Sequence, residues 1–190
     1  MMYTKNLEKI QSALPDRFRP IIKECLNDIG LIQRLPMVLL PRRFSLSNIL
    51  IEENHCHLNG VFGWGDADFG PFGLRLHQLE VFTGRLHPEK GWTKFKDYEE
   101  VWGAFWQAFG DGIGGELDPQ IVEGIKKIRV VGLLMDTDVG NEKRVGSTGD
   151  SVDEAGKYNL MMLDQLLIHP ETKFANIPVI RGSAIQDKGS

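Results

Sequence analysis

Two short clusters of residues in this sequence could bind a metal ion. Asp66 and Asp68 stand one residue apart, and Cys56 lies between His55 and His57. A structural zinc site needs four ligands with characteristic spacing, and no second cluster accompanies the histidines. Aspartate is also a common turn residue, because its side chain hydrogen-bonds the nearby backbone. The sequence therefore favours turns at both places, and we predict no metal site.

A pair of arginines, Arg42 and Arg43, offers a different chemistry. A guanidinium is always charged and presents several hydrogen-bond donors. Such donors polarise a carbonyl most strongly in a site that is shielded from water. The alternative interpretation is a solvated basic pair that follows Pro41. The residues themselves support both interpretations equally.

The elements that must position these residues are predicted from the spacing of apolar side chains. Helical spacing predicts five helices, at residues 16–29, 74–83, 101–109, 119–135 and 155–168. Residues 48–51 and 58–62 flank a polar turn and predict a small hairpin. Glycine and proline interrupt residues 60–73, GVFGWGDADFGPFG, which we predict to be a shaped loop. Residues 84–94 are predicted to be a turn-rich connection.

Length and composition indicate one globular domain, and the predicted elements place it in the mainly α (α+β) class. The chain has 190 residues, of which 42% are hydrophobic and 25% charged, and these fractions argue against intrinsic disorder. We predict a single domain over residues 1–170 and a weakly ordered tail over 171–190. The formal net charge of −4 provides no basic footprint for nucleic acid.

The sequence also makes predictions about cellular compartment. No apolar run approaches the roughly 18 residues of a transmembrane helix, and the N-terminus lacks an apolar signal-peptide stretch. Only two cysteines are present, Cys25 and Cys56, so a disulfide framework is not indicated. We therefore predict a cytoplasmic protein with no membrane partner.

Several segments resemble one known family. LLPRRFSLSNIL (39–50) and GVFGWGDA (60–67) resemble the catalytic and metal loops of the aminoglycoside phosphotransferase and choline kinase-like family, particularly its fungal members. The family patterns read roughly L-x-H-G-D-L-x-x-x-N-I-L and G-[VI]-[IV]-D-W-E-x-A. Further segments resemble the same family's helical lobe: LPDRFRPIIKECL, GPFGLRLHQLE, TGRLHPEKGW, KIRVVGLL and LMMLDQLL. The resemblance implies a protein kinase-like helical C-lobe over residues 7–168.

The chain departs from the family pattern at the positions that carry the chemistry. Phosphoryl transfer by a kinase needs a catalytic aspartate, and an asparagine and a second aspartate that hold magnesium. Asn48 matches the asparagine, but Arg43 stands at the catalytic aspartate. Gly63 replaces the metal-binding aspartate, and Gly65 the next acidic position. We also expect the N-terminal nucleotide lobe to be absent, so we predict no ATP, no metal and no other cofactor.

The resemblance implies a cleft floor that differs from a magnesium-phosphate site. We expect Arg43, Arg42 and Asn48 to carry any catalytic role. The expected substrate-binding residues are Phe44, Phe62, Trp64, Asp66 and Phe69. Such a floor is apolar with a few hydrogen-bond donors, which is the profile of a small-molecule pocket.

Two hypotheses of different classes follow, and ATP-dependent phosphotransfer ranks below both. In the first, a repurposed enzyme binds an apolar metabolite and promotes a cofactor-independent cyclisation, cycloaddition or isomerisation, with fungal secondary metabolism as a setting. In the second, a non-catalytic pseudokinase fragment uses an exposed apolar patch to bind a partner protein, and a homodimer would cover the patch. A closed pocket that contains Trp64 and an arginine favours the enzyme. A flat, open floor favours the interaction module.

Overall fold

One long helix, α5 (Pro119–Asp136), lies at the centre of the protein in its computed structural model. The structure describes residues 2–55, 57–113, 116–137, 154–174 and 177. Asp118 caps α5 by accepting a hydrogen bond from the backbone N–H of Gln120, and Pro119 occupies the first turn, where no donor is needed. The helix supplies much of the buried core: Ile125, Ile128, Val131, Leu133 and Leu134.

Three helices from the start of the chain pack against α5: α1 (Met2–Ala13), α2 (Arg19–Asn27) and α3 (Ile29–Gln33). The apolar face predicted for residues 16–29 is confirmed by the burial of Phe18, Ile22 and Cys25. The predicted helix end at Gly30 is wrong, because the chain bends at Asp28 and Gly30 lies inside α3. Spacing did not predict α1, which buries only two residues of its own, too few to define a periodic face.

In the part of the chain that the structure describes, six short strands form three separate two-stranded antiparallel sheets. β1 (Met37–Leu40) pairs with β4 (Asp68–Pro71), β2 (Ile49–Ile51) with β3 (Leu58–Val61), and β5 (Gly84–His87) with β6 (Gly91–Lys94). The predicted β2–β3 hairpin is confirmed. The predictions of an irregular loop over 60–73 and a turn-rich connection over 84–94 missed β4 and the β5–β6 hairpin. β4 depends on a partner about thirty residues earlier in the chain, which local patterns do not reveal.

The remaining helices agree with the apolar spacing. α4 (Tyr98–Ile113) buries Trp102 and Trp106, so its aromatic stripe is a core face. α6 (Glu154–Leu163) continues into a π-helical turn (Asp164–Ile168), and the segment predicted at 74–83 is a 3₁₀ helix (Leu76–Phe82). The predicted loop at 138–153, and the predicted tail beyond residue 174 apart from Ile177, lie outside the described residues.

The fold class agrees with the sequence at the coarse level. Helices account for 59% and strands for 15% of the structure, so the chain is mainly helical with small antiparallel hairpins. Among the described residues, we find no helix with both the length and the apolar character that crossing a bilayer requires.

Candidate functional site

The pairing of β1 with β4 brings two loops to the same end of a small sheet. Leu40 pairs with Asp68, so the chain leaving β1 runs beside the chain entering β4. Three of the predicted site residues meet there. Arg42, Asp66 and Phe69 line a cavity of about 280 Å³, which we call the acidic cavity because Asp68 also lines it.

Phe44 anchors the loop that follows β1. Its backbone N–H donates a 2.6 Å hydrogen bond to Oε1 of Gln78, on the 3₁₀ helix. Its ring packs against Phe82 of the same helix, with ring centroids 5.8 Å apart. These two contacts attach the loop to the helical core. They thereby determine where the preceding residues, Arg42 and Arg43, emerge.

Asn48 joins the two loops that the family resemblance singles out. Its Oδ1 accepts a 2.8 Å hydrogen bond from the Ser45 hydroxyl, and its carbonyl oxygen accepts one of 2.9 Å from the Phe62 N–H. Gly63 adopts a φ of +86°, and a Cβ at that residue would lie 2.6 Å from Nδ2 of Asn48. The side-chain amide therefore occupies the space that a side chain at position 63 would need. Asn48 acts here as a brace between loops.

A larger cavity of about 550 Å³ shares Arg42, Arg75 and Met135 with the acidic cavity, and we call it the arginine cavity. Its exposed lining residues include Arg42 and Arg43, whereas Trp92, Leu133 and Leu166 are buried. The two arginines therefore lie toward solvent and the apolar side chains form the floor. The remaining lining residues come from four parts of the chain: Phe44, Ser45, Arg75, His77, Gln78, Glu80, Val81, Met135, Asp136, Thr137, Asn159 and Met162.

A polar network crosses the wall of the arginine cavity. Asp136, at the last turn of α5, accepts hydrogen bonds from Arg75, from Nε2 of His77 at 2.8 Å and from Nε2 of Gln78 at 2.7 Å. Because Gln78 also holds the Phe44 N–H, the network connects the end of α5 to the arginine loop. The C-terminal end of α5 and the 3₁₀ helix are thus fixed relative to the cavity.

The charge of Asp136 is stabilised in this network. Burial alone would raise the pKa of its carboxyl. The hydrogen bond and charge of His77, the charge of Arg75 and the hydrogen bond from Gln78 outweigh burial and lower the pKa to about 2. Asp136 therefore carries a full negative charge at neutral pH, and its partners already neutralise that charge.

Glu80 lies deeper, with only 2% of its surface exposed. Burial raises the pKa of Glu80 to about 7, although the charges of Arg129 and Lys94 act in the opposite direction. The guanidinium of Arg129 stacks 4.2 Å from the centroid of the Phe174 ring, and burial lowers its pKa. Both residues belong to the buried core, and Glu80 forms part of the cavity lining at its buried end.

Two of the expected substrate-binding aromatics lie elsewhere. Phe62 is 47% exposed and Trp64 45% exposed, and neither lines the arginine cavity or the acidic cavity. The indole N–H of Trp64 donates to the carbonyl of Val61 at 2.8 Å, which holds the ring beside its own loop. Neither of these two cavities therefore combines Trp64 with an arginine. Arg42, Arg43 and Phe44 do meet in one cavity.

Sequence reasoning missed Arg75, His77, Gln78 and Asp136. Arg75, at the start of the 3₁₀ helix, stands close in sequence to His77 and Gln78, but Asp136 follows about 60 positions later, with no motif that connects it to them. Only the packing of α5 against the 3₁₀ helix brings them together. The one available signal was an acidic residue at the end of an apolar helix.

The described residues contain no group of three histidine, cysteine, aspartate or glutamate side chains that could hold a metal ion. The geometry instead offers hydrogen-bond donors above an apolar floor. No family model, curated protein or solved structure matches this chain. The function must therefore be argued from the cavity itself.

Proposed function

We propose that this protein binds a small, largely apolar molecule in the arginine cavity and promotes a cofactor-independent rearrangement of it. The observation that carries the proposal is the position of Arg42 and Arg43. Within the described part of the chain, neither side chain forms a hydrogen bond or an ion pair, and both line a cavity with an apolar floor. A volume of about 550 Å³ is in the range of small-molecule sites.

The chemistry follows from the donors and the floor. A guanidinium that donates to a carbonyl oxygen stabilises the negative charge that develops there during enolisation, cyclisation or cycloaddition. The apolar side chains exclude water from the buried face of the bound molecule, which favours its binding. Holding a flexible substrate in one reactive shape lowers the barrier further, because the ordering entropy is lost on binding rather than in the reaction.

We also propose that the chain descends from the kinase-like family that its loops resemble. It is supported by the approach of Asn48 to Gly63, because the resembled family requires its asparagine and its metal-binding aspartate to lie together. Phosphate transfer is disfavoured by the same positions. A cation, Arg43, stands where the base would be, and Gly63 has no carboxylate to offer a magnesium ion.

Thermal unfolding with candidate ligands tests the proposal. A ligand that binds only the folded state raises the melting temperature. We expect neutral polyenes, ketones and lactones of cavity size to include stabilising compounds, and ATP with magnesium to give no shift. NMR spectra and chromatography of each stabilising compound after incubation then detect isomers of unchanged mass.

The matched variants are Arg43→Ala and Arg85→Ala. Arg85 is exposed on β5 and lines neither cavity. We expect Arg43→Ala to abolish turnover and Arg85→Ala to preserve it. Full turnover by Arg43→Ala would remove the proposed role of the guanidinium, and a clear shift with ATP and magnesium would restore the kinase interpretation.

A second candidate is the interaction module, which rests on a separate observation. Many large apolar side chains between residues 37 and 69 are at least 45% exposed: Met37, Leu39, Leu46, Leu50, Ile51, Leu58, Phe62, Trp64 and Phe69. Leu39 and Phe69 are cross-strand partners in the β1–β4 sheet, so they share one exposed face. Large exposed apolar patches mark interaction sites. The occupant we propose is a second copy of this chain.

Light scattering across a concentration series tests this candidate. We expect a dimer that Phe69→Ser dissociates, whereas Val101→Ser on α4, also an exposed apolar position, leaves the dimer intact. A monomer at every concentration would rule out the self-association.

A further inference from the structure

The arginine cavity is lined by charged groups of both signs, but these groups are not equally available to bind a ligand. Asp136 is already engaged by Arg75, His77 and Gln78. Glu80 is 2% exposed and lies in the field of the buried Arg129. Neither carboxylate is therefore available to a cationic ligand.

The neutral polar side chains of the lining are also engaged within the protein. The Thr137 hydroxyl donates to the carbonyl of Leu134 at 2.8 Å, and the Asn159 amide donates to the carbonyl of Thr137 at 2.9 Å. The Ser45 hydroxyl donates to Asn48. A ligand polar group that enters the cavity meets these side chains with their principal hydrogen bonds already formed.

Arg42 and Arg43 differ from every group just described. Each carries a permanent positive charge, each is exposed, and neither is paired with an acceptor within the described ranges. Asp66 and Asp68 share the acidic cavity with Arg42, but no oxygen of either lies within ion-pair distance of its guanidinium. Two adjacent cations therefore have no ion-pair partner among the described residues, on a chain whose net charge is −4.

We infer that the arginine cavity selects molecules that carry an oxyanion, a carboxylate or a phosphate ester, at one end of an apolar body. The planar fork of a guanidinium matches the two oxygens of either group. The apolar body then extends over Trp92, Leu133 and Leu166 on the buried floor. This inference rests on the proposed function, because it names the class of molecule that the same cavity takes.

Isothermal calorimetry with four probes of one chain length tests the inference: octanoate, octyl phosphate, 1-octanol and octylamine. We expect octanoate or octyl phosphate to bind at least about tenfold more tightly than 1-octanol, because a charge-assisted hydrogen bond adds that much. The comparison of octanoate with octyl phosphate identifies which oxyanion the site prefers. Inorganic phosphate alone should bind more weakly than either, because it lacks the apolar body.

Charge reversal makes the test specific to the two arginines. The double variant Arg42→Glu/Arg43→Glu should lose octanoate binding and gain octylamine binding, whereas Arg85→Ala should match the unmodified chain. Both reversed positions are exposed, and a circular dichroism melt checks that the fold persists. Each expected result supports the inference.

The failures of the two proposals can be distinguished. If 1-octanol binds as tightly as octanoate, and the double reversal changes neither affinity, the oxyanion inference is overturned while the proposed small-molecule site stands. If none of the four probes binds, the oxyanion inference is overturned, and the thermal-unfolding screen with polyenes, ketones and lactones decides the proposed function separately. Oxyanion binding that survives the double reversal places the anion elsewhere and also overturns the inference.

Discussion

His77 and Asp136 join two elements that lie 59 residues apart in the chain, through a 2.8 Å contact between Nε2 and Oδ2. The other ring nitrogen of His77, Nδ1, lies 3.1 Å from the carbonyl oxygen of Leu74. Both ring nitrogens are therefore in contact with oxygen atoms of the protein. His77 therefore serves as a fixed bridge between the 3₁₀ helix and the end of α5, and it offers no free ring nitrogen to a ligand.

Replacing Asp136 with asparagine tests how much this bridge stabilises the fold. Asp136→Asn keeps the shape but removes the charge that Arg75 and the buried His77 face. We expect the free energy of unfolding in urea to fall by about 1–3 kcal/mol, the usual cost of leaving a buried polar group without its partner. Glu53→Gln, in the exposed β2–β3 turn, is the control and should change stability by less than about 0.5 kcal/mol. An Asp136→Asn protein as stable as the control would show that the bridge contributes nothing.

The depressed pKa of Asp136 predicts a pH dependence with a definite sign. Its carboxyl has a pKa of about 2 in the folded protein against an ordinary value of 3.8. The carboxylate therefore stabilises the fold above pH 3.8, and that contribution is lost as the pH falls toward 2. The difference in unfolding free energy between the unmodified chain and Asp136→Asn should be constant near pH 5 and shrink below pH 4, by roughly 1 kcal/mol after solvent screening. A difference that grows on acidification would contradict the assignment.

Gly132 lets α5 approach the cavity wall closely. A Cβ at this position would lie 1.9 Å from the carbonyl oxygen of Leu74 and 2.8 Å from Nδ1 of His77. Gly132→Ala must displace backbone, so we expect a loss of more than about 3 kcal/mol, or no folded protein. Gly103→Ala, in α4 with open space around it, is the matched control and should stabilise the chain by up to about 1 kcal/mol. Equal effects in the two helices would refute this packing.

Gly63 is the corresponding tight position in the loops. Gly63→Ala must hold φ near +86° and move the Asn48 amide, so a loss of about 1–2 kcal/mol is expected. Gly65→Ala meets no atom within 4 Å and should be nearly neutral. Chemical denaturation gives both values, and the NMR signal of the Asn48 side-chain amide should shift only in the first variant. An unchanged amide signal in Gly63→Ala would show that Asn48 and Gly63 are not in contact.

The helical half of the fold was predictable because its signals are local. The aromatic stripe of α4 and the apolar face of α5 repeat at helical spacing, and each covers several turns. The β2–β3 hairpin was predictable because its strands flank one short turn. The β1–β4 pair was not predictable, because the whole β2–β3 hairpin lies between these two strands in the sequence.

The candidate site was likewise predictable only where its residues are neighbours in the sequence. Arg42, Arg43 and Phe44 are neighbours in sequence, so they stay together whatever the fold, and the sequence alone determined that two guanidinium groups adjoin an aromatic ring. Trp64 is linked to them only through tertiary structure, and its indole lies at the surface instead. The tertiary structure alone decided that Asp136 accepts hydrogen bonds from Arg75 and His77, while Arg42 and Arg43 have no such partner among the described residues. The reason is that charge pairing depends on distances in space, which a sequence specifies only between residues close along the chain.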